Sequence, residues 1–547
     1  METMQPETYI RKEIERFLQL KNLQKYTIKF EKPKQKQFGD LSTNIAMQIA
    51  GAMKSSPKQI AEEIKDAVRL DTKYLEKTEI AGPGFLNFYI ASQSLYTQLQ
   101  DILQEQNRYG QSDIGQGVKT QVEFISANPT GPLTIGHGRQ AVLGDTIARL
   151  LETIGYRVTR EYYFNNAGRQ MRILGDSVRL RYLQLLGQQL DFPGDYYQGD
   201  YIIDIARMLF VEEGSRLKDE TDVTVFKDRA EKEVFKDIKR SIDRLHFKMD
   251  TFYNEKSLYD DGKIDEVVAL LKEEGLVAER DGAVWFLTSK LGKDQDRVII
   301  KSSGEPTYRL PDIAYHREKF KRGFELIIDI FGADHIDTYP DVLLALHALG
   351  YDETKVKVLI HQFVTLTEGS EKVKMSTRKA NFVTLDELMD EVGEDVTRFF
   401  FLMRHMNAHL NFDLTLAKTQ SDENPVYYVQ YAHARICSIV RFAGEKQIDC
   451  KGGADLVLLS SEEELNLIKH LLEFPATMET SALAFEPHRL VHYLIDTATL
   501  FHKFYTECRV ITADIKLSQA RLALCQATRI VLANGSRVLG INAPDRM

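Results

Sequence analysis

Residues 127–141, "ANPTGPLTIGHGRQA", set one imidazole, His137, between Gly136 and Gly138 where a turn gives way to a helix. The run before it, "QVEFISA" (121–127), has strand composition. The run after it repeats Leu143, Ile147, Leu150, Leu151 and Ile154 on one helical side and stops at Gly155, and "RVTREYYF" (157–164) follows as a second strand. Strand, helix, strand predicts a βαβ unit with parallel pairing. Three readings of the junction are open. Gly136, Gly138 and Ala141 satisfy G-x-G-x-x-A after a strand, a dinucleotide fingerprint with Glu161 as its downstream acid. The same helix N-terminus is equally an anion site, with His137 donating to a phosphate whose charge grows during reaction and glycine letting a flat base lie close to the backbone. The third reading is a plain turn with His137 on the surface.

Working outward, the apolar runs "DRVIIKS" (296–302), "ELIIDIFG" (325–332) and "KVLIHQFVTL" (357–366) alternate with helical segments. They predict an α/β domain over residues 116–412 with a doubly wound, Rossmann-like parallel sheet and a charged helical insertion at about 171–285. Residues 1–115 predict a small α+β domain. Residues 413–547, with helical spacing in "YYVQYAHARICSIVRFA" and "ARLALCQATRIVLANGSRVL", predict an all-α bundle. A chain of 547 residues exceeds what one core usually organises, so several domains are expected. No apolar run is long enough to span a bilayer and the first residues carry no signal-like h-region, so a soluble, cytoplasmic protein without a membrane partner is expected. The four cysteines (437, 450, 508, 525) lie far apart with no C-x-x-C, which predicts reduced thiols and no zinc. A net charge of −9 gives no bulk support to nucleic-acid binding, which must then rest on local patches.

A second segment narrows the readings. "EKVKMSTRKANF" (371–382) puts Lys374, Met375, Ser376, Thr377 and Arg378 in a Gly/Ser/Lys-rich loop after a late strand. Alone it reads as a solvated face. Together with His137 it suits nucleotidyl transfer, in which cationic donors close on departing pyrophosphate, better than hydride transfer. "TIGH" followed by "KMSTR" resembles the two signature sequences of class I aminoacyl-tRNA synthetases. The longer strings "VEFISANPTGPLTIGHGR", "TYRLPDIAYH", "GADHIDTYPDVLLALHALGYD", "ENPVYYVQYAHARICSI" and "LGINAPDRM" resemble the arginyl-tRNA synthetase family, from about Phe38 to Met547.

The resemblance implies ATP-dependent attachment of L-arginine to tRNA(Arg) through an arginyl-adenylate, with ATP entering as its Mg²⁺ complex and no tightly bound organic cofactor. A monomer is expected. Thr134, His137 and Lys374 are the implied catalytic residues, and Gly136, Gly138, Met375 and Ser376 join His137 and Lys374 around ATP. A guanidinium is planar, permanently charged and rich in donors, so its pocket should offer carboxylates in a fork. The family pattern puts Glu123, Tyr308 and Asp312 there, with Asp334 as a further acid and Asn128 near the α-amino end. The plainer reading of Asp312 is a helix cap in "LPDIAYH", but the spacing Tyr308-x-x-x-Asp312 favours the pocket. For tRNA, the pattern implies contacts from Phe85 and Asn87 in the N-terminal domain, and from Tyr431, Arg435, Tyr505 and Met547 at the anticodon end. Two positions depart from the family: Thr134 stands where the first signature opens with His, and Ala380 where a Gly follows the second. An alternative of another class is a tRNA-binding or regulatory paralogue with little catalysis.

Overall fold

The computed structural model describes residues 5–33, 35–69, 71–333, 338–369, 371–372, 383–449 and 453–547. Its centre is a five-stranded, all-parallel sheet. In chain order its elements are β1 (Lys119–Glu123), α1 (Ile135–Thr153), β2 (Arg157–Phe164), α2 (Val223–Arg244), β3 (Thr251–Asn254), α3 (Arg309–Lys321), β4 (Leu326–Gly332) and β5 (Val356–His361). The strands lie in the order β5-β4-β1-β2-β3. The connection reverses direction between β1 and β4, and ligands of open α/β sheets bind outside the strand ends at such a point. Glu123, the last residue of β1, is the register partner of Asp329 on β4.

Two expectations about the sheet are corrected. "DRVIIKS" supplies Arg297–Ile300, but this strand pairs antiparallel in a separate small sheet with Val277–Arg280 and Ala283–Phe286. The fifth parallel strand is β3, which lies inside the stretch expected to be a helical insertion. At four residues it is too short to impose a period on the sequence, while its neighbour α2 dominates the local pattern.

The N-terminal part has a core of its own, from Ile10 to Phe88, formed by three helices and the strands Leu41–Thr43, Leu75–Ala81 and Phe85–Ile90. The helix Ser92–Glu105, although N-terminal to β1, contributes Leu95, Leu99 and Ile102 to the core shared by the sheet and the C-terminal helices. After β5 come α4 (Leu385–Val392), then the bundle with α5 (Pro425–Glu445), α6 (His488–Glu507) and α7 (Ile515–Leu539). Asn424 caps α5 by accepting from Val426 N at 3.1 Å, and Pro425 occupies the first helical position, where its missing N–H costs nothing. Sheet domain and bundle meet at Arg398, which is fully buried. Its guanidinium pairs with Asp145 of α1 at 2.6 Å and donates to the carbonyls of Leu245 and Leu539. Among the described residues no helix is long and apolar enough to cross a membrane.

Candidate active site

The crevice begins where β1 stops. Ile125 and Ser126 both adopt positive φ, 70° and 43°, and Ser126 N donates to Phe124 O at 3.0 Å, closing a tight three-residue turn. A β-branched residue in that region carries strain, and such strain collects at functional sites. Here the turn brings Ser126 Oγ back to donate to Glu123 Oε1 at 2.9 Å, while Tyr163 N donates to the same hydroxyl at 3.2 Å. Tyr162 and Tyr201 hold the rest of the turn through Ala127 O and Thr130 O. Asn128 is exposed at the rim, accepting from Asn165 N and donating to Gln170, both at 3.0 Å.

Asp312 lies within α3, four residues beyond Tyr308, the residue at the helix N-cap position. Its carboxylate caps no backbone N–H, and among the described residues it has no hydrogen-bond partner, which removes the capping explanation. Burial pushes its pKa up to about 7; His316 and Lys319 draw it down, while the charges of Glu123 and Glu255 add to the rise. A desolvated carboxylate without a counter-charge suits an incoming cation. Tyr308 itself is 84% exposed, so its ring stands in solvent and not against Asp312. Tyr163 and Tyr259 instead lie within the field of Asp312. Glu255, directly after β3, is an acid that sequence reasoning missed. It accepts from Tyr163 Oη at 2.9 Å and Asn165 Nδ2 at 2.7 Å, and burial raises its carboxyl above the usual range. The signal was a strand-like "TFYN" just before it. Asp334 lies outside the described residues.

At the start of α1, Thr134 and His137 form a capping box. His137 N donates to Thr134 Oγ1 at 3.4 Å, and Thr134 N donates back to His137 Nδ1 at 3.2 Å. A ring nitrogen that accepts from a backbone N–H leaves the proton on the other, so Nε2 is the donor that His137 can offer. Burial lowers its pKa to about 4, keeping the ring neutral at physiological pH. The threonine hydroxyl is occupied by the cap. Gly136 and Gly138 then divide in role. A Cβ on Gly138 would lie 2.5 Å from Leu385 Cδ1, so this glycine admits α4 and not a nucleotide base, whereas Gly136 has only Thr134 Oγ1, at 3.7 Å, near such a Cβ. Lys374, Met375 and Ser376 lie outside the described residues, but the chain that follows them is tied back to the first signature. Thr384 bridges Thr134, and Leu385 N donates to Leu133 O at 2.8 Å.

This division yields an expectation for Thr134. Thr134→Val removes a cap and should cost about 1 kcal/mol of stability in a melting experiment. Thr134→His should change kcat by less than about tenfold, because the hydroxyl is turned into the cap. A kcat loss near a hundredfold for either variant would mean that the hydroxyl touches the reacting phosphate.

The dinucleotide alternative fails on Glu161. This acid is fully buried and held by Arg322 through both oxygens, at 2.5 and 2.8 Å, with Gln121 and Tyr315 also donating to it. It has no face left for a ribose.

Comparison with known proteins follows the same segments. Residues 98–409 match the family model described as "tRNA synthetases class I (R), catalytic domain", residues 5–90 "Arginyl tRNA synthetase N terminal domain", and residues 429–547 "DALR anticodon binding domain". A curated arginine–tRNA ligase of Desulfotalea psychrophila is 56% identical over 525 residues, 96% of this chain and 95% of its own, and that of Chlorobaculum tepidum is 51% identical over 529 residues, 95% and 96% of the two chains. The chain belongs to the arginyl-tRNA synthetases. Among solved structures, a Campylobacter jejuni chain assigned as an arginyl-tRNA synthetase is 33% identical, with a TM-score of 0.78 over 84% of this chain and all of that one. The Thermus thermophilus arginyl-tRNA synthetase, at 24% identity and a TM-score of 0.77 over 98% and 99% of the two chains, shares the fold.

In this arginyl-tRNA synthetase the expected tRNA contacts differ in accessibility. Phe85 is 37% exposed at a strand end, but Asn87 is 3% exposed. It sits mid-strand as the register partner of Ser42, whose hydroxyl donates to Asn87 Oδ1 at 2.7 Å. At the other end, Tyr431 is half-exposed and stacks on Tyr427 and His502, with ring planes 7° and 20° apart. Arg435 donates to Tyr505 Oη at 2.6 Å and lies over that ring. The C-terminus is pinned along the same helix α5, where Cys437 donates to Asp545 and Arg441 to the Asp545 carbonyl, leaving Met547 exposed beside it. Cys437, Cys508 and Cys525 are buried thiols, and Cys450 lies outside the described residues.

Proposed function

We propose a division of labour for the ATP-dependent joining of arginine to its tRNA, the activity that family membership gives this chain. Asp312 and Glu123 bind the guanidinium, Asp312 as the main ionic partner because it has none of its own. Asn128 orients the α-amino and carboxylate end at the rim. The arginine carboxylate then attacks the α-phosphate of Mg²⁺-bound ATP in line; the new C–O–P linkage forms as the bond to pyrophosphate breaks. The N-terminus of α1 and the neutral Nε2–H of His137 face the phosphates, where charge grows, and the base lies over open Gly136. Lys374, Met375 and Ser376 close on the leaving group. The terminal ribose hydroxyl of tRNA then takes the arginyl group and AMP departs. The bundle face of Tyr431, Arg435, Tyr505 and Met547, and Phe85 at the far end, hold the tRNA of a cytoplasmic monomer.

The observation that carries the reading is the unpartnered Asp312 beside Glu123 at the switch point, with the cap of α1 above the same crevice. A wrong amino acid leaves these carboxylates unpaired, so discrimination needs no separate hydrolytic site. The test is a charging assay with each amino acid supplied singly. Arginine alone should be attached, and comparable charging of any other would overturn the assignment.

A pH dependence follows. The groups facing Asp312 are Glu123, Glu255, His316 and Lys319, with Tyr163 and Tyr259 at its edge. Its raised pKa means that, without substrate, the folded chain holds a proton there between about pH 4 and 7 that the unfolded chain has lost, so this group makes stability fall as pH rises through that window. Arginine requires the ionised form. Its apparent KM should therefore rise, by up to about tenfold per pH unit, as pH drops below 7 and level off above it. Asp312→Asn should flatten that profile; an unchanged slope in the variant would assign it to another group.

A further inference from the structure

One buried cation in the crevice is not used by this division of labour. Lys319, on α3 two turns beyond Asp312, is 0% exposed. Its ammonium lies 2.6 Å from Glu123 Oε2 and 2.5 Å from Asp329 Oδ1, and 4.3 Å from the centre of the Tyr315 ring. Glu123 and Asp329 are register partners on adjacent parallel strands at the switch point, and like charges placed opposite one another repel. Asp329 is engaged on its other side by His316 Nε2 at 2.8 Å. Glu123 is likewise held on both oxygens, Oε2 by Lys319 and Oε1 by Ser126. Each of its oxygens keeps a lone pair for a further donor, but its carboxylate plane is fixed before any substrate arrives.

We propose that Lys319 is a positioning and specificity-determining residue for arginine: it clamps Glu123 at the switch point in the orientation that a planar guanidinium needs. The resident ammonium also takes up part of the charge of Glu123, and leaves Asp312, which has no hydrogen-bond partner among the described residues, as the main ionic partner for arginine. The crevice then rewards a ligand that can bridge two spatially fixed acceptors with separate N–H groups, as a guanidinium does, over a compact ammonium that must gather its acceptors around one point. Sequence reasoning misses such a residue, since a lysine in "HREKFKRG" reads as surface charge.

The inference rests on the guanidinium pocket proposed above, and a double-mutant cycle separates the two. Removing Lys319 alone strands two buried carboxylates, so Lys319→Met is combined with Asp329→Asn, which takes out the pair together. In aminoacylation with arginine varied, this double variant should raise the arginine KM at least about tenfold while the ATP KM stays within about twofold. Adding Glu123→Gln to it should raise the arginine KM little further, because Lys319 acts through Glu123, and Lys319→Arg, which keeps a cation in the slot, should recover most of the loss. Discrimination against lysine in the same assay should fall with the arginine KM. A lower melting temperature with unchanged arginine KM, or effects of Lys319 and Glu123 that simply add, would make Lys319 a structural ion pair and overturn the inference. If Glu123→Gln alone left the arginine KM unchanged, the pocket reading itself would fail. Should the double variant not fold, the Lys319→Arg chain carries the test, and an arginine KM raised as far as that of Glu123→Gln would count against the clamp.

Discussion

Asp312→Asn should raise the KM for arginine by about 10² to 10⁴, the roughly 3 to 5 kcal/mol of a desolvated ion pair that loses one partner. The substitution keeps size and one carbonyl oxygen but removes the charge, and the guanidinium then has only Glu123, which already shares its oxygens with Lys319 and Ser126. The ATP KM should move little, since the proposed phosphate contacts are at the N-terminus of α1 and not at Asp312. tRNA affinity in a filter-binding assay should survive, because the proposed contacts lie in the outer domains. An arginine KM within a fewfold of wild type would remove Asp312 from the pocket.

His137→Ala should lower kcat by about 10² to 10³, the range for losing one preorganised donor to a developing charge. The donor is preorganised because Nδ1 is committed to Thr134 N and the ring is held neutral, with a pKa of about 4. Two consequences distinguish this from charge–charge attraction to ATP. The loss should fall on kcat, with a small change in the ATP KM, because a neutral donor gains most in the transition state. Moreover, kcat should show no titration of this imidazole between pH 6 and pH 8. An inflection in that range that disappears in His137→Ala would mean that the imidazolium is the working form.

The βαβ unit, the capped helix and the late strands were legible because each spans enough residues to impose a period, and because turn residues bracket them. β3 was not, since four residues inside a run of helices impose none. Arg297–Ile300 had the composition of a strand, but composition does not choose between a parallel neighbour and an antiparallel one. Among the residues proposed for the site, Glu123 was singled out by motif and strand-end position and Asp312 by the motif around the start of α3. The burial of Asn87 was not legible, because it follows from the alternation of a strand that turns the side chain inward, where Ser42 donates to its oxygen. Lys319, Arg398 and Glu255 share a different difficulty. A charged side chain is read as solvated unless its partner is known, and the partners here lie 196, 253 and 92 positions away, at Glu123, Asp145 and Tyr163. Buried charges are therefore what only three-dimensional pairing reveals, and Gly138 is the same lesson for packing, since Leu385, the side chain it makes room for, follows the second signature.

The measurement closest to the central claim, that arginine is recognised by a carboxylate kept without a counter-charge until it binds, is a proton count. Arginine binding is followed by calorimetry in pairs of buffers with different ionisation enthalpies, from pH 6 to pH 8, for wild type and Asp312→Asn. With the Asp312 pKa at about 7, wild type should release close to one proton per arginine bound at about pH 6 and almost none at about pH 8, and the variant should release almost none throughout. Equal proton release by wild type and variant, or no release by wild type at the acidic end, would contradict the account.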